Sequence, residues 1–324
     1  MNIVKTFYNN IRLIVEENKV NYFLVAISGG QDSIYLINLM EHIKKKINLT
    51  QIYIEYIYID HQWKINSYEQ NKHIINYIRL IQQKIHIYQI NNVILSENKC
   101  RISRYNIIIQ HALKYRFKYI ITAHSGTDKI ETFLLNLIRG CGLEGATSLN
   151  IISKFEYNKY LIRPLINTNR ESIYWMCKKL YLPIWSDITN YQYNISRNRI
   201  RYELIPYLKQ YFNQKIDNNI KYVIKNYYYD NEYIKQNAIK LYIVSKHDEY
   251  VGLNYSKLRK QHVSMQIKVL QLFCLHNFQI ILSINKTQNI LQLLNNSDAR
   301  KKIYIKKMNI KIIINHYWVY ITII

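Results

Sequence analysis

Cysteines and long apolar runs are scarce in this sequence, and their scarcity argues against several classes of protein. Four cysteines are scattered over 324 residues with no C-x-x-C pair, which disfavours a disulfide framework, a zinc ribbon and a redox dithiol. No run approaches the roughly 18 apolar residues of a membrane span. The first 20 residues lack the apolar core of a signal peptide. We therefore expect free thiols in a reducing compartment.

Glycine is also rare, with seven residues in the whole chain, yet six of them fall in three short clusters before residue 150. The background is rich in isoleucine, asparagine, lysine and tyrosine, whose codons are A/T-rich, and it includes 32 tyrosines. Glycines retained against such a bias predict positions where the backbone must take a positive φ or lie close to a ligand. The seven are Gly29, Gly30, Gly126, Gly140, Gly142, Gly145 and Gly252.

Acidic residues are few, and the resulting charge points to a polyanionic partner. The chain carries 45 Lys and Arg against 21 Asp and Glu, a formal net charge of +24, which favours nucleic acid as the partner. A/T-rich codons enrich lysine on their own and account for part of this excess. They do not explain the arginine cluster RNRIR, residues 197–201.

The first half of the chain alternates apolar runs with segments of helical periodicity. This alternation predicts an α/β fold with a parallel sheet. Strands are predicted at 22–27, 51–60, 85–90 and 118–123, and helices near 31–47, 66–82, 97–116 and 127–139. Further helices are predicted at 170–182, from the RNRIR segment to about 212, and over 214–250, followed by two helices and short strands. We expect one domain over 1–212 and a smaller helical and α+β domain over 213–324.

Polar clusters follow three of the predicted strands, at the carboxyl edge where parallel sheets bind ligands. They are Ser28–Ser33, Asp60–Trp63 and His124–Asp128. The first joins a strand, a glycine turn and a helix N-terminus, which together favour an anion. An ordinary strand–helix turn with a capping Ser or Asp is the alternative.

A further glycine cluster matches the sequence pattern of dinucleotide-binding motifs. The segment GCGLEG, residues 140–145, matches G-x-G-x-x-G but follows a predicted helix rather than a strand, so it is not a dinucleotide-binding motif. It is either a loop near a nucleotide or RNA backbone, or a helix C-cap followed by tight turns. Neither a G-x-x-x-x-G-K-[ST] nor an H-E-x-x-H sequence is present.

The hexapeptide Ser28-Gly29-Gly30-Gln31-Asp32-Ser33 resembles the SGGxDS loop of the N-type ATP pyrophosphatases. Within that group, the ordered set of further segments resembles the tRNA(Ile)-lysidine synthetase family, over roughly residues 20–206. The segment IDHQW in so A/T-biased a chain is similar to versions encoded in algal plastids. The further segments are Asp60-His61, His124 with Asp128 and Glu131-Thr132, RGCGLEG, Arg163-Pro164-Leu165, and Asp187-x-Thr189-Asn190 leading to Arg197–Arg201.

The sequence departs from the family pattern at three places. Thr127 stands where the family has the first of two adjacent acids, Gln62-Trp63 replaces the usual Leu-Arg, and Thr189 replaces a serine. The first departure puts the metal or amine role of that position in doubt and leaves the phosphate loop intact.

The resemblance implies an adenine-nucleotide α-hydrolase-like fold and a two-step ligation. It also implies that residues 1–212 bind ATP and carry out catalysis and that residues 213–324 bind the tRNA. ATP, with Mg²⁺, adenylates the C2 oxygen of the wobble cytidine in the CAU anticodon of tRNA(Ile) and releases pyrophosphate. Free L-lysine then displaces AMP and leaves lysidine, which changes codon reading from AUG to AUA. The plastid stroma is the implied location, with the cytoplasm of an A/T-rich bacterium as the alternative; no membrane partner is expected.

The resemblance also implies roles for individual residues. For each, a purely structural role is the alternative, such as a hydrogen-bonded core histidine or a solvent-exposed arginine. Asp32, Asp60 and Asp128 are the expected catalytic carboxylates, and Asp32 the expected Mg²⁺ ligand. The expected nucleotide-binding residues are Ala26, Ser28, Gly29, Gly30, Gln31, Asp32, Ser33, His124 and Arg197. The expected tRNA- or lysine-binding residues are Asp128, Glu131, Arg139, Gly142, Arg163, Arg199 and Arg201, and the basic segment containing Lys306, Lys307 and Lys311 is expected to contact the tRNA body.

Two rival functions remain open from the residues. A tRNA-thiolating relative would use the same adenylation. Such enzymes usually carry a pair of reactive cysteines, and no C-x-x-C is present here. A non-catalytic RNA-binding relative would explain the loss of the acid at Thr127, but an intact SGGQDS loop opposes it.

Overall fold

The computed structural model describes residues 3–18, 22–46, 52–60, 62, 67–90, 97–185, 196–295, 301–305, 310–315 and 317–323. The chain divides into two compact units, Met1–Lys225 and Asn226–Ile324. Within the described residues, no helix combines the length and the apolar character needed to cross a bilayer.

The first unit is built from alternating strands and helices, as the sequence predicts. Its strands are β1 (Tyr22–Ile27), β2 (Tyr53–Asp60), β3 (Lys84–Gln89), β4 (Tyr119–Thr122), β5 (Ile152–Lys154) and β6 (Tyr160–Ile162). Its helices are α1 (Ile3–Asn18), α2 (Gln31–Lys46), α3 (Ser67–Leu80), α4 (Glu97–Lys114), α5 (Gly126–Ile138), α6 (Leu143–Ala146), α7 (Arg170–Lys179), α8 (Ser196–Arg199) and α9 (Ile205–Tyr211).

The six strands form one sheet in the order β3-β2-β1-β4-β6-β5. All neighbouring pairs are parallel except β5 and β6. Side chains of β1 alternate between two apolar clusters, since Phe23 and Val25 lie in one and Leu24 in the other. Both faces of the sheet are therefore covered, which confirms the predicted α/β class.

The predicted basic helix ending near 212 is wrong in one respect, because it is interrupted. Between α8 and α9 the segment Ile200–Leu204 is π-helical, and the backbone N–H of Ile205 donates to the carbonyl of Ile200. Pro206 follows directly. Proline lacks an N–H and its ring crowds the carbonyl four residues earlier, so the wider turn in front of it avoids that clash.

A long helix, α10 (Ile216–Ser245), passes through the division between the two units. Its Ile220 and Ile224 pack in a cluster with Ile130 and Phe133 of α5. The first turns of α10 therefore belong to the first unit, whereas the sequence placed the boundary between residues 212 and 213. The functions of the two parts stay predictions.

The described residues of the second unit form a small antiparallel sheet and three further helices. Its strands, β7 (Gly252–Asn254), β8 (Lys301–Ile305), β9 (Ile310–Asn315) and β10 (Trp318–Ile323), pair in the order β7-β10-β9-β8. Its helices are α11 (Tyr255–Arg259), α12 (Val263–Phe278) and α13 (Ile284–Asn295). Buried residues of α10, α12 and α13, among them Tyr242, Phe273 and Leu291, form its core.

Candidate active site

A cavity of about 340 Å³ opens at the carboxyl ends of β1 and β4. Two of the three polar clusters singled out in the sequence line it, through Ser28, Asp32, His124 and Asp128 among others. Since β1 and β4 are parallel neighbours, the loops that follow them meet at this edge. The edge is where doubly wound sheets bind their ligands.

The turn between β1 and α2 is held by glycine and serine. Gly29 has φ +77°, and a Cβ there would lie 2.5 Å from Cδ1 of Ile74. The backbone N–H of Ser28 donates to Oγ of Ser33 at 3.0 Å, and the two hydroxyls are also 3.0 Å apart. The turn thus directs the N-terminus of α2 at the cavity, where first-turn N–H groups lack intrahelical partners.

Gly30 differs from Gly29 in what its missing side chain leaves open. Among the residues that the structure describes, a Cβ on Gly30 would meet just the Ser28 hydroxyl, at 3.9 Å, and Gly30 lines the cavity. Packing within the protein therefore does not require glycine here. A ligand that approaches the backbone closely would require it.

Asp32, in the first turn of α2, brings a poorly compensated charge to the cavity. Burial, with a smaller contribution from the nearby Asp128, raises the pKa of Asp32 to about 6 against the opposing charge of Arg170. The Arg170 Nε lies 3.9 Å from the Asp32 carboxylate, and Nε2 of Gln31 donates to it at 3.3 Å.

His124 and Asp128 reach the cavity from the start of α5. Ser125 caps this helix in a capping box, in which its N–H and hydroxyl both donate to the Asp128 carboxylate, at 2.8 and 2.9 Å. Burial alone would raise the pKa of Asp128, but His124, the Ser125 hydrogen bond, Arg197 and Arg201 lower it. Burial lowers the pKa of His124 to about 4, so His124 is neutral at pH 7, with Nδ1 2.9 Å from the Thr122 hydroxyl.

The arginines of RNRIR take three different places. Arg201 binds the fully buried Glu131 through Nε and Nη2, at 2.5 and 2.9 Å. Arg197 lines the cavity, with Nε 3.4 Å from the same carboxylate and Nη2 donating to Thr132 at 2.9 Å. Arg199, 66% exposed, pairs with Glu203 on the surface. Glu131 is therefore an anchor for two arginines, and the contacts of Arg199 and Arg201 with tRNA stay predictions.

Asp60 and Arg163 make contacts within the protein. Asp60, at the end of β2, accepts from the N–H of Gln62 at 2.9 Å and from Asn71 at 2.7 Å, and it is not among the residues that line the cavity. Its neighbour His61 lies outside the described residues. Buried Arg163 donates to the Asn150 carbonyl and to the Ser153 hydroxyl.

The GCGLEG segment joins the end of α5 to the start of α6, and its proposed contact with RNA stays a prediction. Gly140 has φ +73° directly after Arg139, the C-cap of α5, and Gly142 is the N-cap of α6. Arg139 and Gly142 are both exposed. Asp187 and Thr189 lie outside the described residues.

Several residues that line the cavity were not predicted from the sequence. Arg101, Arg104 and Tyr105 of α4, Gln70 of α3 and Arg170 of α7 all line it. Arg101 and Arg104 are one helical turn apart, and this spacing is the signal that would have placed them on one face. With Arg197 they make four arginines around the cavity, against the carboxylates of Asp32 and Asp128.

Thr127, at the position where the resemblance leads us to expect an acid, has a structural contact. Its hydroxyl accepts a hydrogen bond from the backbone N–H of Arg170 at 3.1 Å. Arg170 is the first residue of α7, so Thr127 satisfies a donor at that helix end.

The chain is similar to known proteins over most of its length. The PP-loop domain family matches residues 3–208. The chloroplastic tRNA(Ile)-lysidine synthase of Gracilaria tenuistipitata var. liui is 45% identical over 92% of each chain. That of Pyropia yezoensis is 33% identical over 89% of this chain and 87% of its own.

A more distant likeness concerns the fold alone. The U34-tRNA thiolase of Methanococcus maripaludis, solved with its [4Fe-4S] cluster, superposes with a TM-score of 0.54 at 13% identity, covering 69% of this chain and 79% of its own. It supports the α/β architecture described above.

Replacing Asp32 by Asn should stabilise the ligand-free protein. Because the pKa of Asp32 is raised from 3.8 to about 6 in the folded state, the ionised carboxylate opposes folding. The opposition is absent below about pH 4, grows between the two pKa values and is complete above about pH 6. We expect the Asn variant to gain about 1–3 kcal/mol at about pH 8 and close to nothing at about pH 4, measured by urea unfolding.

Asp248→Asn, a change at an exposed aspartate, is the matched control and should leave the free energy of unfolding unchanged. An Asp32→Asn protein less stable than the parent at about pH 8 would contradict this description of the cavity.

Proposed function

The chain belongs to the tRNA(Ile)-lysidine synthase family of PP-loop proteins, and from that membership we propose that it joins free lysine to the wobble cytidine of tRNA(Ile) bearing a CAU anticodon. ATP adenylates the C2 oxygen of the cytidine and pyrophosphate leaves. The ε-amine of lysine then attacks C2, AMP departs, and a C–N bond replaces the C–O bond.

The observation that carries this proposal is the charge of the cavity wall. Arg101, Arg104, Arg170 and Arg197 surround the turn and helix N-terminus that follow β1. Guanidinium groups and helix N-termini are the strongest common partners of phosphate oxygens in proteins. A nucleoside triphosphate fits this combination.

The glycine turn is the seat proposed for the departing pyrophosphate. Open space beside Gly30 lets phosphate approach the backbone, and the Ser28 and Ser33 hydroxyls lie beside it. Negative charge accumulates on the leaving group in the transition state, and fixed N–H donors stabilise such charge without reorganising.

We propose Mg²⁺ as the metal partner of ATP, with Asp32 as its protein ligand. Two observations fit the ion. Asp32 offers carboxylate oxygen, the donor type that Mg²⁺ prefers. Burial and, to a smaller extent, repulsion from Asp128 raise the pKa of Asp32, and a nearby cation would favour its ionised form. When bound, Mg²⁺ neutralises charge on the phosphates.

Asp128 is the seat proposed for the lysine ammonium group. Free lysine has a pKa of about 10.4, so it arrives protonated and must be held and deprotonated before it attacks. Asp128 lines the cavity and its pKa is lowered, so it stays ionised. Asp60, the other candidate, is not among the residues that line the cavity. Thr127, whose hydroxyl accepts from the N–H of Arg170, offers no second charge.

The tRNA is the proposed reason for the net charge of +24. Phosphate neutralisation by Lys and Arg dominates the affinity of such complexes. Lys306 and Lys307 lie outside the described residues, and so does the side chain of Lys311, so the contribution of that basic segment stays a prediction.

The chloroplastic relatives point to a plastid origin, and we propose the plastid stroma as the working compartment. The compartment supplies the tRNA and ATP that the reaction consumes.

Sulfur transfer is the less favoured candidate. It would need a reactive thiolate near the cavity, and low pKa values mark such thiols. Burial instead raises the pKa of Cys177, which contacts the Gln31 carbonyl, to about 12 and that of Cys274 to about 11.

The purified full chain should incorporate radiolabelled lysine into a CAU-anticodon tRNA(Ile) transcript when ATP is present, releasing AMP and pyrophosphate. A transcript with adenosine at the wobble position is the matched control, because adenine has no C2 oxygen to adenylate, and it should accept no lysine. Tight binding of the tRNA without incorporation would favour the non-catalytic relative and contradict the proposal.

Gly30→Val should abolish ATP binding without unfolding the protein. The valine branches would occupy the open space at the turn, and we expect at least a tenfold loss of ATP affinity, about 1.4 kcal/mol, in calorimetric titration. Gly29→Val should instead lower stability, since its backbone has φ +77° and its Cβ would collide with Ile74. Equal ATP affinity in Gly30→Val and the parent would refute the pyrophosphate seat.

A further inference from the structure

A second cluster of ligand-type side chains lies away from the cavity, between the sheet and α4. It consists of Glu55 on β2, His86 on the edge strand β3, and His111 on α4. In the parallel pairing of β2 with β3, Glu55 is opposite Lys84 and Ile57 is opposite His86. Glu55 and His86 are therefore diagonal neighbours on one face of the sheet. None of the three residues lines the cavity.

The three side chains already lie close together. Nε2 of His86 is 2.7 Å from Oε2 of Glu55, and the rings of His86 and His111 have centroids 4.4 Å apart. The candidate ligand atoms all lie within 4.8 Å of one another. Zinc bonds of about 2.0–2.2 Å in a tetrahedron place ligand atoms roughly 3.3–3.5 Å apart, a spacing that modest side-chain rotations would reach.

His111 supplies the observation that points to a ligand. Its side chain is 2% exposed, and among the described residues Nε2 has no hydrogen-bond partner. Its other ring nitrogen, Nδ1, is 2.8 Å from the Tyr88 hydroxyl. A buried polar atom without a partner costs about 1–3 kcal/mol. When Nδ1–H donates to Tyr88, Nε2 carries a lone pair, and this is the arrangement found in histidines that bind metals.

We propose that Glu55, His86 and His111 bind a Zn²⁺ ion at a site separate from the cavity. Two imidazoles and one carboxylate are a donor set that zinc accepts, with water in the fourth position. Glu55 and His86 have side chains 24% and 17% exposed, so water can reach the ion. Lys84, which donates to Glu55 at 3.0 Å, is 60% exposed and can release the carboxylate to solvent.

The bound ion would join three elements of the first unit. It would tie the edge strand β3 to β2 and to α4, the helix that also carries Arg101 and Arg104 into the cavity wall. A ligand that binds the folded state alone raises its stability by mass action. The site does not depend on the proposed function, because its recognition chemistry involves neither ATP nor tRNA.

The test is a titration of the tag-free, chelator-treated full chain with Zn²⁺, in excess Mg²⁺ that occupies the hard carboxylate sites. Glu55→Gln and His86→Gln change half-buried positions and should fold; each should weaken Zn²⁺ binding at least about tenfold. His42→Gln, a change at an exposed histidine of α2, and Asp32→Asn, a change in the cavity, are the controls and should leave Zn²⁺ affinity unchanged.

A second measurement guards against misfolded variants. Zn²⁺ should raise the unfolding temperature of the parent and both controls and leave that of Glu55→Gln and His86→Gln unchanged, while the metal-free proteins unfold cooperatively. Absence of a one-to-one complex in the parent would overturn the proposal. A Zn²⁺ affinity of Glu55→Gln and His86→Gln equal to that of the parent would also overturn it. So would a loss of Zn²⁺ binding confined to Asp32→Asn.

Discussion

The site depends on one buried carboxylate and the need to neutralise it. Glu131 is fully buried in α5, where an unpaired charge would be prohibitively unfavourable. Arg201 and Arg197 meet that need from a segment that comes 66 or more residues later in the chain. This pairing fixes the helix after residue 196 against α5, places Arg197 in the cavity wall, and supports Asp128 through Arg201. Structural charge pairing and the proposed nucleotide recognition therefore share the same arginine cluster.

The charges around the cavity are not fully compensated within the described residues. Asp32 ionises with difficulty because burial and Asp128 both oppose its charge, while four arginines face the same space. A charged ligand that binds the folded state here would raise its stability. The Zn²⁺ site proposed beneath α4 would add rigidity to the helix that contributes two of those arginines.

Much of the first unit was predictable because its strands and helices are long and periodic; β1 and the start of α2 fall where the sequence put them. The three-residue strands β5 and β6 carry too little periodicity to detect. The turn at Ser28–Ser33 was predictable because glycine chemistry is local. The different contacts of the three arginines in RNRIR were not predictable, since those of Arg197 and Arg201 depend on Glu131, a partner that tertiary packing brings close. Arg170 of α7 was not predicted to line the cavity, because tertiary packing and not local sequence brings α7 there.

The central claim, that Glu131 anchors the arginine cluster, is tested most directly by a double-mutant cycle of Glu131→Gln and Arg201→Gln, with Arg199→Gln as control. Each single change in the buried pair should cost about 3 kcal/mol or more in the free energy of unfolding, because the other charge is left uncompensated. The double change should cost less than the sum by at least about 1 kcal/mol, and Arg199→Gln less than about 1 kcal/mol. Additive losses in the buried pair, or a cost for Arg199→Gln equal to that for Arg201→Gln, would contradict this account.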